Sequence, residues 1–139
     1  VFDSGNQFEA ITAAEYGADF NNNHGSDDPD GRSDAKGPEP EALVLAEIEE
    51  RTYAFIGLER MGGVMVYDVT DPRDVEFVTY FNQRIVGQDP ETQDLTADLG
   101  PEGFAFLSAE ESPTGSPLLI AGNEVSGTTS VYQITVNAP

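Results

Sequence analysis

The chain of 139 residues contains no cysteine and only one histidine. Disulfides and thiolate metal sites are therefore excluded, and zinc is disfavoured as a bound metal. No apolar run approaches the roughly 18 residues of a membrane span, so direct membrane insertion is not expected. The sequence begins at Val1 without a signal-like stretch, so we expect either a removed leader or a fragment.

Positive charge is equally scarce. Acidic residues outnumber basic ones 26 to 6, which gives a formal net charge of −20, and Lys36 is the single lysine. A surface with so strong a negative field makes nucleic acid and anionic membranes poor partners. An aspartate-rich, lysine-poor surface fits a saline or a calcium-rich exterior, and composition does not separate the two.

Common catalytic motifs are absent as well. There is no Gly-x-Ser-x-Gly elbow, no phosphate-binding Gly-Lys-Ser/Thr loop and no pair of histidines. A lone loop histidine such as His24 is more often incidental than an acid or base. Catalysis, if this chain takes part in it, must therefore depend on other chemistry.

What the sequence does contain is organised in three parts. Residues 1–36 form an acidic N-terminal segment with a short helix over 7–16, followed by a polar loop. Residues 37–99 and 100–139 are each predicted to form an all-β unit, the first with an acidic insertion at its end. Short apolar runs separated by turns indicate four strands in the first unit: residues 42–48, 53–58, 64–69 and 75–81.

The second unit repeats the first. Glu41 aligns with Glu102 at a shift of 61 residues, and the shift becomes 65 further along, because the first hairpin of the second copy is longer. The repeat has the length of a β-propeller blade. Its identical pairs are Gly57 and Gly122, Glu59 and Glu124, Gly62 and Gly127, Val66 and Val131, Tyr67 and Tyr132, and Thr70 and Thr135.

We therefore predict an all-β fold: a β-propeller fragment of about two blades, with a short N-terminal helix and acidic loops. Blades bury their faces against neighbouring blades, and two cannot close a ring of four to eight. The expected partners are the remaining blades, from the same polypeptide or another chain. A single β-sandwich of seven or eight strands is the alternative, but it gives repeated glutamates at strand starts no role.

Several motifs resemble one family. The stretch Arg32 to Glu41, the run Tyr53 to Pro72 with its Gly62-Gly63 turn, the opening Phe2-Asp3-Ser4-Gly5 and the later Gly100-Pro101-Glu102-Gly103 are similar to the choice-of-anchor I family of bacterial and archaeal surface proteins. The resemblance implies an exported propeller several times larger than this chain, located outside the cell, in the periplasm or at the cell surface. Some members of the family are described as alkaline phosphatases.

A more distant likeness concerns chemistry. Pro-Glu-Gly at a strand start, followed by a hairpin and a Gly-Gly turn, is similar to the blades of calcium-dependent propeller phytases. That resemblance implies Glu41 and Glu102 as calcium ligands and Arg60 as a contact to a phosphate ester. The match is partial, because Ala42 replaces glycine in the first copy and Val125 replaces the basic residue in the second.

The residues themselves also point to calcium, which prefers several hard oxygen ligands. Glu41, Glu59, Glu102 and Glu124 occupy matched positions, so adjacent blades would place like charges side by side, and a cation would relieve the repulsion. The alternative is that they lie on a wet rim or accept backbone hydrogen bonds.

The loop over residues 23–34 presents Asp28, Asp30 and Asp34 at close spacing, either as further calcium ligands or as a solvated acidic turn. It lacks the residue order of an EF-hand.

Two functions follow from these features. The first is an extracellular or cell-surface calcium-binding propeller module that acts as a binding or scaffold domain. The second is a calcium-dependent phosphoesterase, in which clustered calcium binds the phosphate and generates hydroxide. A phosphate-directed enzyme needs several cationic side chains near its metal, and Arg60 is the single well-placed one. The sequence therefore favours the scaffold.

Overall fold

A computed structural model describes residues 1–87 and 97–136 and shows a mostly β chain with one short α-helix. The all-β prediction is confirmed, and the helix α1 has the predicted bounds. A 3₁₀ turn over Gly17–Asp19 follows α1. The elements are α1 (Gln7–Tyr16), β1 (Pro40–Ile48), β2 (Arg51–Leu58), β3 (Val64–Asp68), β4 (Glu76–Phe81), β5 (Pro101–Leu107), β6 (Leu118–Asn123) and β7 (Thr128–Gln133).

The seven strands form two separate antiparallel sheets. The first sheet has the order β1-β2-β3-β4 and the second the order β5-β6-β7, so each strand pairs with its neighbours in sequence and no strand crosses between sheets. Short connections between consecutive apolar runs favour such meanders. Most of the predicted acidic insertion, residues 88–96, lies outside the described residues, and the domain boundaries remain predictions.

The main core lies between the two sheets. Its buried side chains on the first sheet include Ile48, Phe55 and Val66, and Leu119 faces them from the second sheet. The rings of Phe81 and Tyr132 meet edge-on across the interface, with their centroids 5.1 Å apart. Apolar burial therefore holds the two sheets face to face.

The opposite face of the first sheet is covered by α1. Met61, Met65 and Tyr67 are buried there against Phe8 and Ile11 of the helix. Both methionines are fully buried. This sheet is thus covered on one face by the second sheet and on the other, over β2 to β4, by the helix.

The three strands of the second sheet correspond to β1, β2 and β3 of the first, and the two sheets do not meet through corresponding faces. Leu43 pairs with Ile56, and at the predicted shifts the second sheet pairs Phe104 with Ala121. Phe104 packs against the core between the sheets, whereas Leu43, its counterpart, is 62% exposed. One face of the second sheet therefore contacts the opposite face of the first, a head-to-tail arrangement.

Gly57 allows this close approach. A Cβ atom at Gly57 would lie 2.8 Å from Cζ of Phe104 and 2.9 Å from Cβ of Ala42, closer than real Cβ contacts come. At Gly122, its counterpart in the second sheet, the nearest atom to an added Cβ is the carbonyl oxygen of Gly103 at 3.7 Å.

We expect Gly57→Ala to lower the free energy of unfolding by about 1–3 kcal/mol, because it overpacks the interface between the sheets. Gly122→Ala places the same methyl group at an ordinary contact distance from its nearest neighbour, so it should change that free energy by less than about 0.5 kcal/mol. Urea unfolding of both variants measures the difference. Equal effects would show that the packing of Phe104 on Gly57 does not limit the approach of the sheets.

Candidate metal centre

Two of the glutamates predicted to bind calcium lie at β-bulges. The pairing of β1 with β2 shifts register between Pro40 and Ala42, and the pairing of β5 with β6 shifts between Pro101 and Gly103. The residues within these shifts are Glu41 and Glu102, and both are exposed. A bulge leaves its extra residue outside the ladder and redirects the side chain. The repeated glutamates therefore share a backbone position that frees their carboxylates.

The other two glutamates begin the turns after β2 and β6. The Glu59 amide donates to the carbonyl oxygen of Glu39 at 2.8 Å, and the Glu124 amide donates to that of Gly100 at 2.8 Å. The next amide in each turn behaves in the same way: that of Arg60 donates to the carbonyl oxygen of Pro38, and that of Val125 donates to the carbonyl oxygen of Leu99. Each turn is therefore tied to the segment before the first strand of its own sheet, which brings the two glutamate positions of a repeat together.

The structure joins two of the predicted ligands to a third carboxylate. Oxygens of Glu39, Glu41 and Glu59 lie within 4.8 Å of one another, and in residues 1–87 and 97–136 no other set of three His, Cys, Asp or Glu residues is as close. Glu39 was missed by the sequence analysis. Its counterpart in the second copy is Gly100, so the repeat hides it.

Glu39 is neutralised by its own chain. Its buried carboxylate pairs with Arg32, with Lys36 Nζ at 3.1 Å and with Arg60 Nε at 3.2 Å. Burial by itself would raise the pKa of Glu39, but the hydrogen bonds from Lys36, Arg60 and Arg32 outweigh it and lower the pKa to about 2. The backbone of Glu39 has a φ of 51°, in the left-handed region that Gly100 adopts at 72°. The three ion pairs therefore hold Glu39 in a backbone conformation that usually favours glycine.

Glu59 lies in a different environment. Its buried carboxylate contacts His24 Nδ1 at 3.1 Å and Arg60 Nη1 at 3.4 Å. Burial raises the pKa of Glu59, Arg60 lowers it, and the charges of Glu41, Glu39 and Glu124 raise it further, with a net increase. Carboxylates from both sheets therefore act on one buried carboxyl group.

Arg60, the predicted phosphate contact, is already engaged. Besides its pairs with Glu39 and Glu59, its Nη1 lies 3.3 Å from Nδ1 of His24. Burial lowers the pKa of His24, and the adjacent Arg60 lowers it further, so the ring is neutral at neutral pH. Sequence analysis took His24 as incidental, whereas the structure places it against Glu59.

A buried arginine fixes this arrangement. Arg84 donates from Nη1 to the carbonyl oxygen of Arg60 at 2.7 Å and from Nη2 to that of Asn23. It thereby connects the N-terminal loop to the turn after β2. Because the loop carries His24 and the turn carries Glu59, Arg84 is a positioning residue for their contact.

The three aspartates of the N-terminal loop stay apart from this cluster. Asp28, Asp30 and Asp34 are exposed, and they do not form a close triad of the kind that Glu39, Glu41 and Glu59 form. The loop is ordered by its own hydrogen bonds: the Asp28 amide donates to Asn22 Oδ1 at 2.8 Å, and the Asp30 amide donates to Phe20 O at 3.0 Å. Metal binding by these aspartates stays a prediction.

Comparison with known proteins identifies the class. The choice-of-anchor I domain matches residues 1–72, which is just over half of the chain. The chain therefore belongs to the choice-of-anchor I family, as its motifs indicated, and a domain of this kind marks a surface-associated protein. In residues 1–87 and 97–136 no helix is long and apolar enough to cross a membrane.

A particular relative is Gigasin-3a of Magallana gigas. It is 31% identical over 144 residues, which cover 96% of this chain and 51% of the relative. The chain thus spans about half the length of this curated relative. No solved structure is significantly similar to this chain. The comparisons do not support the likeness to propeller phytases.

The ion pairs of Glu39 predict a specific acid sensitivity. Because its pKa in the folded chain, about 2, lies below the ordinary value of 4.5, the stabilisation is complete above pH 4.5 and is lost as the pH falls toward 2. Glu39→Gln should lower the free energy of unfolding at pH 7 by about 3 kcal/mol, since three cations lose their partner. It should also flatten the dependence of stability on pH in that window.

Glu47→Gln is the matched control, because it removes the same charge from an exposed position on β1. Urea unfolding between pH 2 and 7 compares the variants. If Glu39→Gln and Glu47→Gln follow the same curve, the ion pairs of Glu39 do not stabilise the fold.

Proposed function

We propose that the chain forms two successive blades of a β-propeller exposed outside the cytoplasm, and that this module binds calcium and serves as a binding or scaffold domain. The observation that carries the calcium proposal is the convergence of carboxylates from both sheets on the buried Glu59. The head-to-tail packing of two equivalent sheets supports the architecture.

Head-to-tail packing leaves two surfaces for further units. A heterologous interface of this kind forms a ring when the rotation between units closes, and otherwise an open array. On the first sheet, Leu43 and Leu45 of β1 correspond to Phe104 and Phe106, which pack against the core between the sheets, but both leucines are exposed. Because α1 covers the same face over β2 to β4, a preceding unit would cover the two leucines at β1 and would not repeat the packing of the two sheets.

The far face of the second sheet is the other unpaired surface. Val66 is 5% exposed in the interface between the sheets, whereas its counterpart Val131 is 59% exposed. A following blade would bury Val131 as the second sheet buries Val66. The remaining blades are supplied by the rest of a longer polypeptide, in keeping with a relative about twice as long.

The donor set of the cluster fits calcium. Glu41, Glu59 and Glu124 offer hard oxygen ligands, and Glu102 occupies the same bulge position as Glu41. Glu39 is excluded as a ligand because Arg32, Lys36 and Arg60 already neutralise it. Burial raises the pKa of Glu59 most and the neighbouring carboxylates raise it further, and a cation beside Glu59 would offset that repulsion. Calcium would also tie the two sheets together.

The scaffold function is favoured over phosphate-ester hydrolysis. Arg60 is held by Glu39 and Glu59 and packs against His24, so its guanidinium is committed within the chain. A phosphate would have to compete with two carboxylates for it. The structural role of Arg60 is to hold the turn after β2 onto the N-terminal loop.

Calcium should stabilise the chain. At a hundredfold excess over the dissociation constant, linkage predicts a gain of about 2.7 kcal/mol in the free energy of unfolding, measured by urea unfolding in calcium against chelator at equal ionic strength. Glu59→Gln and Glu124→Gln should each reduce this gain, because each removes one charge from the proposed ligand set.

Glu47→Gln again serves as the control, because it changes the net charge by the same amount away from the cluster. Magnesium at the same concentration tests for general attraction of divalent cations to a chain of charge −20. Equal stability in calcium and in chelator, or an unchanged calcium response of Glu59→Gln, would contradict the proposed site.

A further inference from the structure

The second sheet ends at the strand β7, whereas the first sheet has one more strand, β4, beyond the corresponding strand β3. In the described parts of the chain, β7 pairs with β6 alone, whereas its counterpart β3 also carries β4. The residues that follow β3 and those that follow β7 make equivalent hydrogen bonds. The Val69 amide donates to Thr52 O at 2.8 Å, and the Ile134 amide donates to Pro117 O at 2.9 Å, 65 residues further on in each case. After Val69 the chain turns back and becomes β4.

The hydrogen-bond phase shows which groups of β7 face the open edge. Bonds between antiparallel strands recur at every second residue, so the bond from Ile134 to Pro117 places the backbone groups of Tyr132 and Ser130 toward β6. Those of Thr129, Val131 and Gln133 point outward. In the first sheet, the counterparts of these three residues pair with β4: Val64 with Phe81, Val66 with Thr79 and Asp68 with Glu76.

A cleft lies beside this edge. It has a volume of about 890 Å³ and is lined by Val66, Val78 and Phe81 of the first sheet and by Leu119, Tyr132 and Ile134 on the other side. Val78 of β4 is 49% exposed, although the adjacent strand β3, and β2 beyond it, are covered by the second sheet. The first sheet is one strand wider than the second, so β4 has no strand opposite it.

We propose that the edge of β7 accepts a fourth strand, antiparallel to β7 and with the side-chain pattern of β4, and that this strand follows β7 in the longer polypeptide of the proposed function, on which this inference rests. An intramolecular strand is favoured because the path through Ile134 and Thr135 matches the one that leads through Val69 and Thr70 into β4. It would pair with Thr129, Val131 and Gln133 and cover Val78. The proposal depends on neither calcium nor ring closure.

The test extends the chain with its own β4. Residues 136–139 are replaced by a copy of residues 71–82, so that the turn and strand follow Thr135 as they follow Thr70 in the first sheet. We expect amide hydrogen exchange at Thr129, Val131 and Gln133 to slow by at least about tenfold relative to the unmodified chain. The amides of Ser130 and Tyr132, already bonded to β6, should change little.

The matched control carries Thr79→Pro within the appended copy only, at the position that would lie opposite Val131. Proline removes the amide that would donate to the carbonyl oxygen of Val131, and proline is not tolerated where a strand's N–H faces its partner, so the appended copy should not pair with β7 and the protection of all three amides should be lost. A synthetic peptide of residues 71–82, added to the unmodified chain, tests the same edge should the extended chain not fold.

Unchanged exchange of the three amides in both the extended chain and the peptide mixture would overturn the proposal. Protection that rises with concentration in the unmodified chain, together with a dimer in analytical ultracentrifugation, would also overturn it, because the edge would then belong to a second copy.

Discussion

The contact of Phe104 and Phe106 with the first sheet, in the space left by Gly57, determines how the rest of the structure is arranged. Because corresponding faces of the two sheets do not meet each other, the second sheet contacts the first with one face and exposes Val131 on the other. The same rotation that buries Phe104 brings Glu124 of the second sheet close enough to affect the pKa of Glu59. Packing and electrostatics therefore depend on one geometric relation between two copies of a motif.

A second constraint is the scarcity of cations in a chain with a net charge of −20. Three of the six basic residues converge on the buried carboxylate of Glu39, and Arg51 pairs with Asp68 at 2.5 Å. Arg84 is used for backbone carbonyl groups of the loop and the turn. Most of the basic residues thus hold the N-terminal segment against the first sheet. Five of the six make contacts within the chain, so they do not form a basic surface for an anionic partner.

Local patterns in the sequence predicted much of this fold. The apolar runs located the helix and the strands of the first sheet to within two residues, and the repeat placed Glu41 and Glu102 in correspondence, which the two β-bulges confirm. The sequence did not reveal Glu39, because its counterpart is a glycine and its partners Arg32 and Arg60 are brought together only by the fold. It also did not reveal the contact between His24 and Glu59, which joins residues 35 positions apart. Long-range ion pairs leave no periodic signal in a single sequence.

The head-to-tail relation, which is the central claim, is tested most directly by a crystal structure of the longer polypeptide that we propose to contain this chain. The account predicts a further sheet that covers Val131 of the second sheet with the face that carries its own counterparts of Phe104 and Phe106, in the rotation that relates the two sheets described above. Val131 exposed to solvent in that structure, or covered by an element unrelated to the repeat, would contradict it.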